Sequence, residues 1–422
     1  MSEDVRAAAR VDAHTEELPP VSAGFLIAYP LAMIGIWMMI MTPAMVTLAL
    51  KIGEIDPANK ETSYGLVAGV GGIVAILANP VFGRFSDRTR SRWGRRKPWI
   101  VGGTLGGLFG AVLIALAPNI GAVLAGWVVM QLLCNAAIAA LVSVLADRVD
   151  KTQRGLVGGI IGLTFPAGLL GGTFFAQLVP GNAFVQFLVP ALVGLGLVWL
   201  FVAVYRDHTE APQNLPAFSV AEFFGSFYVN PRRNSDFIRM LSGEFLIWIG
   251  MAVFQTYMVY FLQDRLHVAT ADLATISFYS LLVSNLTSIV VAPLTGWISD
   301  RIGRRKPPFA LAAVLIACGL VVMLLGNLPI FLVGAGITGL GFGMFKGVYL
   351  SMSADTLLDT STAARDLGLV NIAITLPGSL VPLVAPAVLG IGGGGNYVLL
   401  FALGAVAAFV SMVPVLGVAR VR

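Results

Sequence analysis

Long apolar segments recur along the chain, and they restrict the possible folds more than any other feature. An apolar run of about twenty residues can cross the hydrocarbon core of a bilayer. Only 12% of the 422 residues are charged and the mean hydropathy is +0.86, whereas soluble domains carry about 25% charged residues. Because lipid offers no hydrogen-bond partners to the backbone, each segment is predicted to be an α-helix. We therefore predict an all-α membrane protein with twelve transmembrane helices, at 21–50, 63–83, 99–118, 121–145, 155–179, 183–205, 240–262, 272–298, 307–326, 329–354, 366–390 and 395–418.

A strongly basic hairpin between the second and third segments returns in the second half of the chain. Residues 83–98 read GRFSDRTRSRWGRRKP and hold seven of the 27 Lys and Arg residues. Residues 296–307 read GWISDRIGRRKP, so that Asp300 follows Asp87 by 213 positions. Other charged and proline positions repeat at similar offsets. This pattern predicts two similar halves of six helices each, in parallel orientation.

The distribution of Lys and Arg predicts the topology. With the amino terminus inside, 23 of these residues lie in inside segments and three lie outside. Basic residues are enriched in cytoplasmic loops, so both termini are expected in the cytoplasm of a cell-membrane protein. The basic charge is therefore not taken as a sign of nucleic-acid binding. The predicted division is a tail at 1–20, an amino-terminal bundle at 21–205, a loop at 206–239, a carboxyl-terminal bundle at 240–418 and a tail at 419–422.

The hairpin resembles the signature of the major facilitator superfamily of secondary transporters. Its sequence at 86–98 is similar to that of glycoside–pentoside–hexuronide:cation symporters and sucrose-type transporters. The sequences at 364–373 and 376–377 are similar to those of the same branch. This resemblance implies two parallel six-helix repeats around a central site, alternating access and a small polar solute such as a sugar or glycoside. The bilayer is the expected surrounding, and no metal or other cofactor is expected.

The same resemblance implies a role for the charged residues near the hairpins. In that superfamily the hairpin latches the two halves on the cytoplasmic side when the transporter faces outward. The alternative is that these charges only set the topology, although topology requires no aspartate. The residues implied as a cytoplasmic gate are Asp87, Arg88, Arg95, Arg96, Asp147, Arg154, Asp300, Arg301, Arg304, Asp355 and Arg365.

Two charged residues lie well inside the apolar segments, Glu244 in the seventh and Lys346 in the tenth. An embedded charge costs about 2.5–3.5 kcal/mol on insertion scales and is a functional hypothesis by default. We expect both to face the central cavity, pair with each other, and bind substrate or a proton. For Glu244 the alternative is an interfacial residue that reaches the cytoplasmic surface or pairs with Arg239.

Polar and aromatic side chains in the other segments complete the candidate substrate site. Gln131 and Asn135 share a face of the fourth segment, where they are expected to bond sugar hydroxyls or a neighbouring helix. Aromatic rings beside amides suit sugar rings and drug-like aromatics, and the alternative for each is core packing. The remaining candidates are Tyr29, Trp37, Trp248, Gln255, Tyr349 and Asn371.

The amino-terminal half departs from the sugar:cation symporter pattern, because its segments contain no embedded Asp or Glu. A sodium site of the kind used in that branch is therefore not expected. This leaves coupling to a proton through Glu244, or transport without coupling. Two other functions stay open: export of drugs or secondary metabolites, and a role as a membrane receptor or assembly factor without transport. No nucleotide-binding loop or catalytic set is present, so we do not expect an enzyme.

Overall fold

The computed structural model describes residues 21–150, 153–207, 234–356 and 363–419, except for the side chains of 154, 350, 354, 363–365 and 367. It confirms the prediction of twelve helices long and apolar enough to cross a membrane. They are α1 Ala23–Ile55, α2 Lys60–Arg88, α3 Lys97–Ala115, α4 Ile120–Arg148, α5 Gly155–Gln177, α6 Ala183–Val204, α7 Ser235–Asp264, α8 Leu273–Ile302, α9 Lys306–Met323, α10 Leu328–Ser353, α11 Gly368–Leu389 and α12 Tyr397–Leu416. The predicted tail at 1–20, most of the loop at 206–239 and the last three residues lie outside the described part.

Several helices extend beyond the predicted apolar segments because their polar ends continue the helical hydrogen bonding. The second helix runs over Lys60–Arg88 rather than 63–83, and α7 begins at Ser235 rather than at residue 240. Some helix starts are capped by side chains that accept a backbone N–H, as expected for N-caps. Asn119 accepts from Ala122 at 2.9 Å, and Asn396 accepts from Leu399 at 3.0 Å.

The packing of the first six helices is repeated by the last six. In the first half α1 packs against α5 and α6, α3 against α4 and α6, and α2 against α4. In the second half α7 packs against α11 and α12, α9 against α10 and α12, and α8 against α10. Each pair in one half thus has a counterpart six helices later. Between the halves, α2 packs against α11 and α5 against α8, which are also equivalent contacts.

The contact between α2 and α11 is close at one end of the bundle. We call the end at which α1 begins and α12 ends the terminal end, and the other the opposite end. Gly65, Gly69 and Gly72 of α2 lie against Pro382, Leu383 and Ser379 of α11, toward the opposite end. Gly83 lies three turns beyond Gly72 on the same face of α2, toward the terminal end, and a Cβ added there would meet no atom of the described residues within 4 Å. The two helices are therefore in contact at the opposite end and separate toward the terminal end.

Helix α1 is not regular along its length. A five-residue π-helical segment, Pro43–Thr47, interrupts it between Ala23–Thr42 and Leu48–Ile55. Proline cannot donate the usual helical hydrogen bond, and π-helical segments bend helices and expose backbone carbonyl groups. Here the carbonyl of Ala44 accepts a hydrogen bond from the Tyr64 hydroxyl at 3.0 Å. The irregular segment thus connects α1 to α2 near the seam between the halves.

Candidate functional site

The predicted gate residues of the first half form a compact group at the terminal end, which we call the amino-half cluster: Ser86, Asp87, Arg95, Arg96 and Asp147. Arg96 contacts Asp87 at 2.6 Å and Asp147 at 2.9 Å. Arg95 contacts the same Asp147 oxygen at 2.9 Å, and the Arg96 guanidinium also donates to the Ser86 hydroxyl. The cluster therefore joins the end of α2, the start of α3 and the end of α4 within one half.

Arg96 is the centre of this cluster. Its side chain is 3% exposed, and burial alone disfavours a charged guanidinium. The hydrogen bonds and charges of Asp147 and Asp87 outweigh that burial and raise the pKa of Arg96 above its ordinary value. The cation is therefore held by two carboxylates at once.

The copy in the second half is sparser, and we call it the carboxyl-half cluster: Asp300, Arg305 and Asp355. Arg305 is ion-paired with Asp355, and it lies 4.0 Å from Asp300. The predicted gate residue here is the neighbouring Arg304, whose backbone carbonyl accepts a hydrogen bond from Ser299. Arg305 was not predicted, although the alignment of the two hairpins on their Arg-Arg-Lys runs places it opposite Arg96.

The other predicted gate residues take different positions. Arg301 lies over the ring of Trp297, with 5.4 Å between the guanidinium carbon and the ring centre. Arg88 lies in the last turn of α2. The side chains of Arg154 and Arg365 fall outside the described part. Each ion pair of the two clusters joins residues of one half, so neither cluster connects the two halves through these pairs.

Among the residues that the structure describes, a group of polar contacts joins the halves at the opposite end, and none of its members was predicted as a site residue. The Lys60 ammonium contacts Asp264 at 2.5 Å and donates to Gln263 at 2.8 Å. The Tyr397 hydroxyl lies 2.6 Å from Asp264 and 2.9 Å from Glu61. The available signal was weak: Lys60 and Asp264 lie at the ends of two apolar segments, 204 positions apart. This opposite-end cluster holds α2 of one half to α7 and α12 of the other.

The two embedded charges lie in the second half and are not paired with each other. Glu244 is fully buried, and neither of its carboxyl oxygens has a hydrogen-bond partner among the described residues. The Lys346 ammonium lies 4.6 Å from the ring centre of Phe342, a cation–π distance. Arg239 contacts Asp236 at 3.5 Å and donates to the Gly417 carbonyl at 2.6 Å, so it does not serve as the partner of Glu244.

Aromatic rings surround these two charges. Trp248 packs edge-on against Phe342 with 5.0 Å between ring centres, and its indole N–H has no partner among the described residues. Tyr349 stacks on Phe345 with 5.2 Å between ring centres, and Phe345 in turn stacks on Phe342 at 5.9 Å. The structure therefore brings four predicted residues together on α7 and α10, and we call them the α7–α10 group: Glu244, Trp248, Lys346 and Tyr349.

The remaining candidates are less concentrated. Asn135 donates to the backbone and side-chain oxygens of Gln131, at 2.8 and 3.2 Å, and both residues are buried on α4. Tyr29 is a core residue of the first half, since its hydroxyl donates to the Leu141 carbonyl at 2.9 Å. Trp37 packs edge-on against Phe165. Gln255 is half-buried on α7, and Asn371 is exposed on α11.

Comparison with known proteins identifies the family. The family model described as Major Facilitator Superfamily matches residues 25–382 and 243–422. The isoprimeverose transporter of Lactiplantibacillus pentosus is 23% identical over 320 residues, covering 70% of this chain and 65% of that protein. The general alpha-glucoside permease of Schizosaccharomyces pombe is 32% identical over 111 residues, covering 25% of this chain and 18% of the permease. The chain thus spans less than two thirds of the length of either relative.

Solved structures agree in fold. A peptide transporter in complex with alafosfalin is 14% identical with a TM-score of 0.76, covering 99% of this chain and 98% of that one. A nucleoside transporter is 13% identical with a TM-score of 0.68, covering 92% and 99%. The family and the relatives are transporters rather than enzymes, and the sugar-transporter names fit the branch that the hairpin resembles. Since the family model extends over almost the whole chain, the protein belongs to the Major Facilitator Superfamily of membrane transporters.

Proposed function

We propose that the protein is a secondary transporter of a sugar or glycoside that works by alternating access in the cell membrane. The observation that carries the proposal is the one-sided contact between the halves. The opposite-end cluster and the glycines of α2 join them at one end, whereas at the other end a Cβ added to Gly83 would meet no described residue within 4 Å. With the termini in the cytoplasm, as the distribution of Lys and Arg favours, this is an inward-facing state. Opening the opposite end would then require Lys60 and Asp264 to separate.

The α7–α10 group is the proposed substrate site, together with Gln131 and Asn135 of α4. Trp248 offers an unpartnered indole donor beside the Phe342 ring, a combination suited to a sugar, which has apolar ring faces and hydroxyl edges. The ammonium of Lys346 can donate to hydroxyl oxygens, and it is held by a ring rather than by a carboxylate. The names of the sugar-transporting relatives support the same substrate class.

Glu244 is the proposed proton carrier. An isolated carboxylate in an apolar site is so costly that the group takes up a proton instead. Because neither oxygen has a partner among the described residues in the inward-facing state, Glu244 would hold its proton there. A movement that brings Lys346 from Phe342 to Glu244 would stabilise the ionised form and release the proton. This assigns coupling to the second half and agrees with the lack of embedded acids in the first.

Uptake by proteoliposomes tests the function. The purified protein is reconstituted into proteoliposomes. Labelled monosaccharides, disaccharides and α-glucosides are then offered, with and without an inward proton gradient. We expect saturable uptake of at least one sugar and accumulation only with the gradient. Absence of uptake of any sugar, together with drug resistance of cells that express the protein, would show that it is an exporter of another substrate class.

The substitution Glu244→Gln tests the coupling. The amide keeps the shape of a protonated carboxyl group but cannot exchange a proton. We therefore expect loss of gradient-driven accumulation, while exchange of labelled for unlabelled sugar continues at equal pH. Glu54→Gln is the matched control, since Glu54 is exposed at the opposite end and lies 3.9 Å from Lys51. Normal accumulation by the Glu244→Gln protein would remove Glu244 from the mechanism without affecting the sugar assignment.

A further inference from the structure

A cavity of about 410 Å³ lies at the terminal end, where α3 begins and α6 ends. Its lining residues come from the basic hairpin, the first turns of α3 and the end of α6: Arg92, Trp93, Gly94, Lys97, Val101, Val202 and Asp207. It is separate from the α7–α10 group, which belongs to the other half. None of the functions proposed above uses it.

Asp207 forms the floor of the cavity. Its carboxylate accepts from the backbone N–H groups of Arg96 and Lys97 at 2.5 and 2.8 Å, and the Tyr205 hydroxyl lies 3.2 Å from it. These bonds satisfy donors at the start of α3. Gly94 allows the approach, since it has a φ of +101° and an added Cβ would overlap the Asp207 side chain. The N-terminus of α3 is therefore occupied by the protein's own carboxylate, and any external ligand must be held by the walls.

The walls carry two cations. Arg92 is exposed and Lys97 is half-buried, and neither has a carboxylate within 4.0 Å among the described residues. The other lining side chains differ in kind: Trp93 is 58% exposed, and Val101 and Val202 are apolar. The cavity thus combines basic side chains near the hairpin with apolar side chains of α3 and α6. Tryptophan is typical of the lipid–water interface at which such a cavity lies.

We propose that this cavity binds the headgroup of an anionic phospholipid. The phosphate would lie between Arg92 and Lys97, the headgroup would pack on Trp93, and an acyl chain would follow Val101 and Val202. Basic pockets between transmembrane helices are suited to anionic headgroups. The two cations and the one carboxylate, which is already bonded, leave a net positive site. Its apolar wall favours a lipid over a free phosphate ion. Because the site contains the start of α3 and the end of α6, a bound lipid connects these two helices.

Native mass spectrometry of the full chain in detergent tests this proposal. The protein is titrated with phosphatidylglycerol, with phosphatidylcholine and, in a third arm, with inorganic phosphate as a competitor. We expect phosphatidylglycerol to bind several-fold more tightly than phosphatidylcholine, and phosphate at equal concentration not to displace it. Arg92→Ala should weaken phosphatidylglycerol binding by about fivefold, the effect of one basic residue near a membrane surface. Arg92→Ala combined with Lys97→Gln should weaken it further, and Arg92→Lys should retain it.

Arg90→Ala is the matched control, because Arg90 is exposed in the same hairpin but does not line the cavity. The control should bind like the parent protein. Equal losses in Arg90→Ala and Arg92→Ala would overturn the proposal in favour of general attraction to the hairpin. Equal binding of both lipids, or displacement by phosphate, would also overturn it. Thermal unfolding of each variant checks that it remains folded, and Arg92 is exposed enough for its replacement to be tolerated.

Discussion

The two charge clusters at the terminal end derive from the same repeated hairpin, yet they differ in burial and in the number of partners. In the amino-half cluster the Arg96 side chain is 3% exposed and contacts two carboxylates and a hydroxyl. In the carboxyl-half cluster the Arg305 side chain is 26% exposed, and its second carboxylate, Asp300, is 4.0 Å away and 72% exposed. Removal of one partner from a buried ion pair costs far more than removal of one from an exposed pair. We infer that the first cluster holds its half rigid, and that the second is the one that rearranges at low cost.

The largest expected difference between the clusters comes from removing the central arginines. Arg96→Ala leaves Asp87 and Asp147 without their shared cation. It should lower the free energy of unfolding by about 3 kcal/mol. This is the low end of the range for a buried ion pair, because the Asp87 side chain is 41% exposed. Arg305→Ala should lower it by no more than about 1 kcal/mol. Thermal or denaturant unfolding in detergent measures both. Equal losses would mean that the two clusters are equivalent.

The next largest difference concerns the carboxylates on α4 and beyond α10. Asp147 accepts from Arg95 and Arg96, both at 2.9 Å, so Asp147→Asn should cost about 2 kcal/mol through the loss of two charge-assisted bonds. Asp355→Asn, which affects a pair with the partly exposed Arg305, should cost less than about 1 kcal/mol. The inference would be reversed if Asp355→Asn destabilised the protein more than Asp147→Asn in the same unfolding assay.

A smaller difference is expected from the start of α3, which Asp207 caps from the end of α6. Asp207→Ala removes two backbone-to-carboxylate hydrogen bonds and should cost about 1 kcal/mol, the usual value of an N-cap. Asp272→Ala is the matched control in the second half, because the Asp272 side chain makes no capping bond at the start of α8. It should leave the unfolding midpoint unchanged, and an equal shift in both variants would argue against a capping role.

The smallest difference in unfolding free energy is expected between alanine variants of Arg95 and Arg304, which immediately precede Arg96 and Arg305. Arg95→Ala breaks one contact to a partly exposed carboxylate and should cost less than about 1 kcal/mol. Arg304 is exposed, and Arg304→Ala should change the unfolding free energy by less than about 0.5 kcal/mol. Because both values are small, chemical denaturation with replicate midpoints is the suitable measurement. An Arg304→Ala loss above that of Arg95→Ala would assign Arg304 a contact that the structure does not show.

The sequence predicted the architecture because two signals are repeated along it: the length of the apolar segments and the hairpin at a spacing of 213 residues. Helix ends were less accurate, since the polar residues of Lys60–Arg88 continue the helix beyond the apolar segment. Arg305 could have been found from the alignment of the two Arg-Arg-Lys runs, which places it opposite Arg96. The sequence does not show which of Arg304 and Arg305 reaches Asp355, because that depends on the backbone geometry before α9.

The structure brings four of the predicted site residues together on α7 and α10, but it does not show the predicted pairing of Glu244 with Lys346. Embedded charge identified Glu244 and Lys346, yet their expected contact is replaced by Lys346 over Phe342. The ammonium of Lys346 can contact either the ring of Phe342, one turn away on the same helix, or the carboxyl group of Glu244 on α7. The sequence does not give the distance between the two helices, so it cannot decide between these contacts. The contact of Lys60 with Asp264 joins residues 204 positions apart, so nothing local in the sequence indicates it.

Gly65, Gly69 and Gly72 of α2 have no side chain where α2 contacts α11. A substitution there can therefore change the conformation of this transporter without altering any charge. A methyl group at Gly65 would overlap the Pro382 carbonyl, and one at Gly72 would lie 2.8 Å from the Ser379 Cβ. Alanine at either position acts as a wedge between α2 and α11. Because a backbone carbonyl cannot rotate away as a side chain can, Gly65→Ala is the stronger wedge. Such a variant would favour the form that is open at the opposite end, and would supply the second state for structural work.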